Sequence, residues 1–125
     1  MKEFDVYIQD KPGELAKVAE ILGRNGVNIK AISSERSKNE PMVRIVTDDE
    51  ATAHTCLTKA SVRFDQRDVL MVKMIDRPGE LGKIARKLAR AMVNVNSIYI
   101  LGKDSGMTEM AITVDDEKKA KNALK

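Results

Sequence analysis

Asp10-Lys11-Pro12-Gly13-Glu14-Leu15 returns 66 residues later as Asp76-Arg77-Pro78-Gly79-Glu80-Leu81. The match runs on without a gap. Between Asp10–Ile29 and Asp76–Val95, 11 of 20 positions are identical, and Lys11/Arg77, Val18/Ile84 and Ile29/Val95 are conservative. After a one-residue slip, Asp48-Asp49-Glu50 answers to Asp115-Asp116-Glu117 at offset 67. A repeat of this period means two copies of one compact module. It overrides the single domain that a length of 125 residues would suggest. The expected domains are residues 1–67 and 68–125.

Outward from the repeat, each module reads the same way. Phe4, Val6 and Ile8 alternate with polar neighbours, the period of a half-buried strand, and Leu70, Val72 and Met74 repeat that face. After the Pro-Gly turn, Leu15, Val18, Ala19 and Leu22 fall at i, i+3, i+4 and i+7, one helical stripe. Leu81, Ile84, Ala85 and Leu88 repeat it. Gly26 stands where a left-handed C-terminal cap is expected. Val27–Ser33 and Val93–Leu101 read as second strands, Met42–Thr47 and Met107–Val114 as third strands. The turns between them are Ser37-Lys38-Asn39-Glu40-Pro41 and Gly102-Lys103-Asp104-Ser105-Gly106. Asp48 and Asp115 are expected to cap second helices over Asp49–Ala60 and from Asp116 onward. Val62–Asp65 reads as a short fourth strand, leading through Arg67-Asp68 into the next unit.

The order β-α-β-β-α-β predicts an α+β protein of two ferredoxin-like modules, antiparallel sheets with helices on one face. Lys125 aligns with Thr58, so nothing in the second copy answers to Lys59–Asp68, and that module is expected to lack its last strand. An edge left open there invites pairing, so a homodimer is expected.

Composition narrows the function. One cysteine excludes an internal disulfide framework, and one histidine excludes a His-rich or Cys₂His₂ metal site. The start, MKEFDVYIQD, carries charges where a signal peptide has an apolar core, and no apolar run reaches the roughly 20 residues of a membrane span. A cytoplasmic protein with no membrane partner is expected. Net charge is +3, split as −1 over residues 1–66 (10 basic, 11 acidic) and +4 over residues 67–125 (12 basic, 8 acidic). Lys83, Arg86, Lys87 and Arg90 cluster in the basic half, but only Phe4, Tyr7, Phe64 and Tyr99 are aromatic. Single-stranded nucleic acid is read largely by stacking on aromatics. The cluster is therefore read as the solvated face of a helix rather than a nucleic-acid surface.

A strand ending in Asp-Lys/Arg-Pro-Gly-Glu-Leu, an amphipathic helix and then Val-Asn-Ile or Val-Asn-Val resembles an ACT domain. The chain resembles a tandem pair of them, over about residues 3–66 and 69–125, with no catalytic domain attached. The resemblance implies modules that bind amino acids or similar metabolites and regulate enzymes of amino-acid metabolism, usually as dimers with sheets side by side. It also implies where the ligand lies: where the first turn of one module meets the second-strand region of its partner. The site residues so implied are Asp10, Lys11, Pro12, Gly13, Glu14, Leu15, Asn28 and Ile29. In the second copy they are Asp76, Arg77, Pro78, Gly79, Glu80, Leu81, Asn94 and Val95.

The chemistry of these residues fits a zwitterion. A helix N-terminus offers unpaired N–H groups and a positive dipole end to a carboxylate. Gly13 and Gly79 let a ligand approach the backbone, Asp10 and Asp76 would accept an ammonium, and Asn28 and Asn94 carry donor and acceptor together. Each has a structural reading too. Asp-x-Pro-Gly is good turn chemistry, Pro12 and Pro78 suit a first helical turn, and Glu14 and Glu80 favour a helix N-terminus. Asn28 and Asn94 can simply satisfy turn backbone. Leu15, Leu81, Ile29 and Val95 can be packing residues. Cys56, mid-helix with His54 two residues away, reads as a small apolar side chain rather than a nucleophile. Ligand choice would rest on Lys30–Ser34 and Asn96–Ile100, where Ser33 in one copy answers to Tyr99 in the other. No catalytic constellation is present in the sequence, and no cofactor is expected. The competing reading is a ligand-free interaction scaffold.

Overall fold

The structure is a computed structural model and describes residues 1–35 and 40–125. Its contacts divide the chain into Met1–Asp68 and Val69–Lys125.

The first unit runs β1 (Lys2–Tyr7), α1 (Glu14–Arg24), β2 (Ala31–Glu35), β3 (Met42–Thr47), α2 (Glu50–Lys59), β4 (Phe64–Asp68). Its four-stranded sheet has the order β2-β3-β1-β4, every pair antiparallel. The second runs β5 (Leu70–Ile75), α3 (Glu80–Arg90), β6 (Val95–Asp104), β7 (Met107–Val114), α4 (Glu117–Ala123), and its sheet has the order β5-β7-β6. Both are the expected ferredoxin-like arrangement. Among the described residues of the second unit no strand takes the place that β4 holds beside β1.

Strand alternation sorts each sheet into two faces. Phe4, Val6, Val43 and Ile45 meet Val18 and Leu22 of α1 and Ala53, Cys56 and Leu57 of α2 in one buried cluster. Val72, Met110 and Ile112 meet Leu88 of α3 and Ala120 of α4 in the other. The helix-free faces differ between the copies. On the first, Glu3 and Asp5 are 1% and 2% exposed, with Arg67 Nε 3.8 Å from Glu3 and 3.0 Å from Asp5. Arg44 lies between Asp5 (3.9 Å) and Glu35 (3.1 Å), and the Tyr7 hydroxyl donates to Asp65 at 2.6 Å. On the second, Met71 pairs with Ala111, Lys73 with Glu109 and Ile75 with Met107.

Element boundaries depart from expectation for one recurring reason. The N–H of Val27 bonds Leu22 O at 2.9 Å and that of Gly26 bonds Gly23 O at 3.1 Å. Gly26 has φ 73, so this is a Schellman closure. Val93 repeats it onto Leu88 O, with Met92 at φ 60, and Val62 repeats it onto Leu57 O, with Ser61 at φ 57. Backbone committed to closing a helix cannot enter a ladder. The strands expected from Val27, Val93 and Val62 therefore start at Ala31, Val95 and Phe64. The last of them runs through Arg67-Asp68, which belong to β4 rather than to a linker. The caps shift as well. Asp49, not Asp48, accepts from Thr52 N–H (3.3 Å), and Asp116, not Asp115, accepts from Lys119 N–H (3.0 Å). In Asp-Asp the second carboxylate is the one that reaches the free N–H three residues on. The second turn tightens to Ser105-Gly106, both at positive φ, between paired Asp104 and Met107, the geometry of a two-residue type I′ hairpin. Ser37–Asn39 of the first turn lie outside the described residues.

Candidate functional site

The Pro-Gly turns are built alike. Gly13 (φ 90, ψ −13) and Gly79 (φ 90, ψ −14) are the N-caps of α1 and α3, and no side chain caps either helix. The carbonyl of Gly13 accepts from Lys17 N–H (3.1 Å) and that of Gly79 from Lys83 N–H (3.2 Å). A Cβ at either glycine would meet nothing within 4 Å. Glycine is therefore demanded by the left-handed φ, and the space above the turn is open. Both helices start at an exposed end without a side-chain cap from the glycine, and in α3 the Glu80 N–H donates to Arg77 O at 3.4 Å.

The flanking carboxylates are held locally, by different partners. Glu14 Oε1 accepts from Gln9 N–H at 3.2 Å and Lys17 Nζ is 3.4 Å from Oε2. The Gln9 N–H, with help from Lys17, holds the Glu14 carboxyl below its usual range. Glu80 Oε1 accepts from Arg77 Nε at 2.6 Å and Lys83 Nζ at 3.2 Å, and these bonds, Arg77 first, hold its pKa down. Both glutamates thus serve their own turn, and Arg77 is committed to Glu80. Asp76 accepts from Lys103 Nζ at 3.2 Å, while Asp10, Lys11, Pro12 and Pro78 are exposed. Asp10 and Asp76 follow β1 and β5 rather than ending them.

The second segment sits elsewhere. Asn28 is exposed and lies in the connector before β2, not within the strand that the sequence predicts over Val27–Ser33. Asn94 is exposed just before β6; its N–H donates to Asp115 Oδ1 (2.9 Å) and its carbonyl accepts from Asp115 N–H (3.1 Å). Ile29 and Val95 pack at the borders of the two cores. Leu15 and Leu81, expected in the helical core stripe, stand in the first turns of α1 and α3 and are 45% and 46% exposed. Tyr99 is buried where Ser33 is exposed.

Strand direction fixes how these pieces relate within a module. Tyr7 pairs with Met42 at the end that carries the Pro-Gly turn; Lys2 pairs with Thr47, and Ala31 with Val46, at the other end. The 11 residues of α1 separate the turn from Asn28 by about 16 Å along the helix. The same holds across α3. One small ligand cannot touch both segments of one module.

Other features are accounted for within the modules. Lys83, Arg86, Lys87 and Arg90 are exposed on α3. Cys56 is buried, its thiol donates toward Ala53 O at 3.5 Å, and burial pushes its pKa up. Two open clefts follow α2, of ≈ 240 and ≈ 450 Å³, lined by Asn25, Thr52 and Lys59, and by Lys2, Glu50 and His54. Neither is lined by a turn residue or by Asn28. Among the described residues no group of three His, Cys, Asp or Glu is placed to hold a metal, and no helix is long and apolar enough to cross a membrane.

Comparison with known proteins agrees with this architecture. Residues 4–55 match the family model of the ACT domain. Among curated protein sequences none matches the chain. In structure the chain is similar to a Bacteroides thetaiotaomicron protein, with TM-score 0.87, 20% identity, and coverage of 98% of this chain and 85% of that one. It is also similar to the regulatory subunit of aspartate kinase from Thermus thermophilus, with TM-score 0.71, 18% identity, and coverage of 98% and 86%. Aspartate kinase from Clostridium acetobutylicum gives TM-score 0.60 at 16% identity, with coverage of 99% of this chain and 33% of the enzyme. These likenesses concern the fold. The first module is an ACT domain, and the second repeats both its motif and its fold.

Proposed function

We propose that the chain is a regulatory protein, without catalytic activity of its own, that binds an amino acid or similar metabolite and modulates an enzyme of amino-acid metabolism in the cytoplasm. The ACT match supports a small-molecule-binding regulatory role. The named relatives, among them a regulatory subunit of aspartate kinase, support an enzyme of that metabolism as partner.

The observation that carries the reading is the separation just described. Each module has a helix start over an open glycine turn at one end, where a carboxylate could bind, and an exposed Asn at the other. On this reading a ligand engages the turn end or the Asn end of a module, not both ends of the same one. Binding of this kind regulates only if it favours one arrangement of modules over another.

The exposed Leu15, Ile32, Leu81 and Ile98, all 45–46% exposed, favour a second reading, a scaffold that needs no ligand. A thermal-shift screen of the twenty amino acids, run with light-scattering mass, separates the two. A ligand at 100 times its Kd adds about 2.7 kcal/mol, a shift of several degrees. No response to any of the twenty would favour the scaffold.

A further inference from the structure

The first helices of the two modules start from one motif and diverge in charge. Where α1 carries Lys17, Glu20, Ile21 and Arg24, α3 carries Lys83, Arg86, Lys87 and Arg90. The four cations of α3 share an arc of about 100° and span about 10 Å of its axis, turned away from Ile84 and Leu88 in the core. Glu80, the one acid of α3, is already bonded to Arg77 and Lys83. All four cations are exposed, and among the described residues Arg86, Lys87 and Arg90 make no ion pair or side-chain hydrogen bond. Along the Arg86 side of this stripe runs a second one, nearly without side chains. It consists of Gly82, Ala85 and Ala89, at i, i+3 and i+7, all exposed. A Cβ at Gly82 would meet nothing within 4 Å.

We propose that this face of α3 is the docking surface for an acidic helix of another protein. Two neighbouring features select that occupant. The small residues let a second helix backbone lie close, since the separation of packed helices is set by the side chains between them. A helix lying there brings its carboxylates alongside Arg86 and Arg90, whose own spacing of four residues matches acids four apart on the partner. Other polyanions match less of the surface. A bilayer calls for bulky apolar side chains beside the cations. Duplex nucleic acid is bound through roughly 6–10 phosphates, more than four side chains reach. A second copy is not complementary: the charges of α1 and of α2 balance, and α3 and α4 are net basic. The proposal concerns α3 alone and holds whether or not a metabolite binds.

Fluorescence anisotropy of the 125-residue chain tests it with a labelled, hydrocarbon-stapled alanine-based helix bearing glutamates in one stripe. That peptide should bind, and more weakly as salt rises. The same composition with glutamates scattered around the helix should bind about tenfold more weakly. Arg86→Glu together with Arg90→Glu should weaken binding more than about tenfold. Ala89→Leu changes no charge, but it fills the small-residue stripe and should weaken binding about tenfold. Circular dichroism checks that the variants keep the fold. No binding of the striped peptide below millimolar concentration overturns the proposal. Indifference to Ala89→Leu overturns it too, leaving a surface for any polyanion. So does tighter binding of a DNA duplex or of phosphatidylserine vesicles, or self-association of the chain that the paired Arg→Glu variant abolishes.

Discussion

Met92 offers a sharp test of how the second module closes its first helix. It occupies the position that Gly26 holds in the first, after the last helical turn, at φ 60 against φ 73. The closures match bond for bond: Val27 N–H to Leu22 O at 2.9 Å, and Val93 N–H to Leu88 O at 2.9 Å. A side chain in the left-handed region costs roughly 1–2 kcal/mol. Met92 is 81% exposed, so it recovers almost nothing by burial. Met92→Gly removes the strain, while the greater freedom of glycine in the unfolded chain takes back roughly 0.5–1 kcal/mol. The net expectation is about 0.5–1 kcal/mol of stabilisation. For a unit as small as Val69–Lys125 that raises the midpoint by roughly 2–8 °C. The repeat supplies the control, since Gly26→Met should destabilise the first module by a similar amount. Differential scanning calorimetry of both variants beside the parent reads the two shifts. A Met92→Gly protein no more stable than the parent would refute the strain, and with it the equivalence of the two caps.

Two further expectations follow from the caps and the turns. Asp49→Ala and Asp116→Ala should each cost about 1 kcal/mol in urea unfolding, and Asp48→Ala clearly less, since only the second aspartate of each pair accepts a helix N–H; equal losses at Asp48 and Asp49 would reverse that assignment. The lowered pKa of Glu80 means the folded state favours its charged form, so the stabilisation is present above the ordinary carboxylate pKa and fades as pH falls through the folded value. Glu80→Gln should accordingly lower the melting temperature at pH 7 more than at pH 3; the same difference at both would show that Arg77 and Lys83 contribute nothing through charge.

The modules and their strand order were legible because the signals are local and doubled. The Pro-Gly turns, the period-two strands and the helical stripes each occur twice in register, and the structure forms each element in the expected order. What escaped was backbone hydrogen bonding. Val27, Val62 and Val93 have strand-like side chains, yet their N–H groups close helices, and no side-chain pattern announces that. Met92 and Ser61 hide the same closure because neither is glycine. At the site, the motif identified turn residues but not their commitments. Glu80 and Arg77 look available in sequence and are bonded to each other in the fold. The distance between Pro12-Gly13 and Asn28 is likewise invisible until strand direction puts them at opposite ends. Leu15 and Leu81 fit the apolar stripe, yet in the first helical turn both are left in solvent.

The helix-free faces carry a last consequence. Asp5, opposite Arg44 on its own sheet, answers in the repeat to Met71 opposite Ala111. Duplication kept the ends of the module and rewrote its back, ionic in one copy and largely apolar in the other. The halves are therefore not interchangeable parts. A chain built from two first modules would keep both turns and both asparagines, yet lose the greasy surface entirely. One built from two second modules would lose the charged one. Order along the chain is thus information in its own right, and a molecule that looks symmetric in its motif has a distinguishable front half and rear half for anything that touches its sheets.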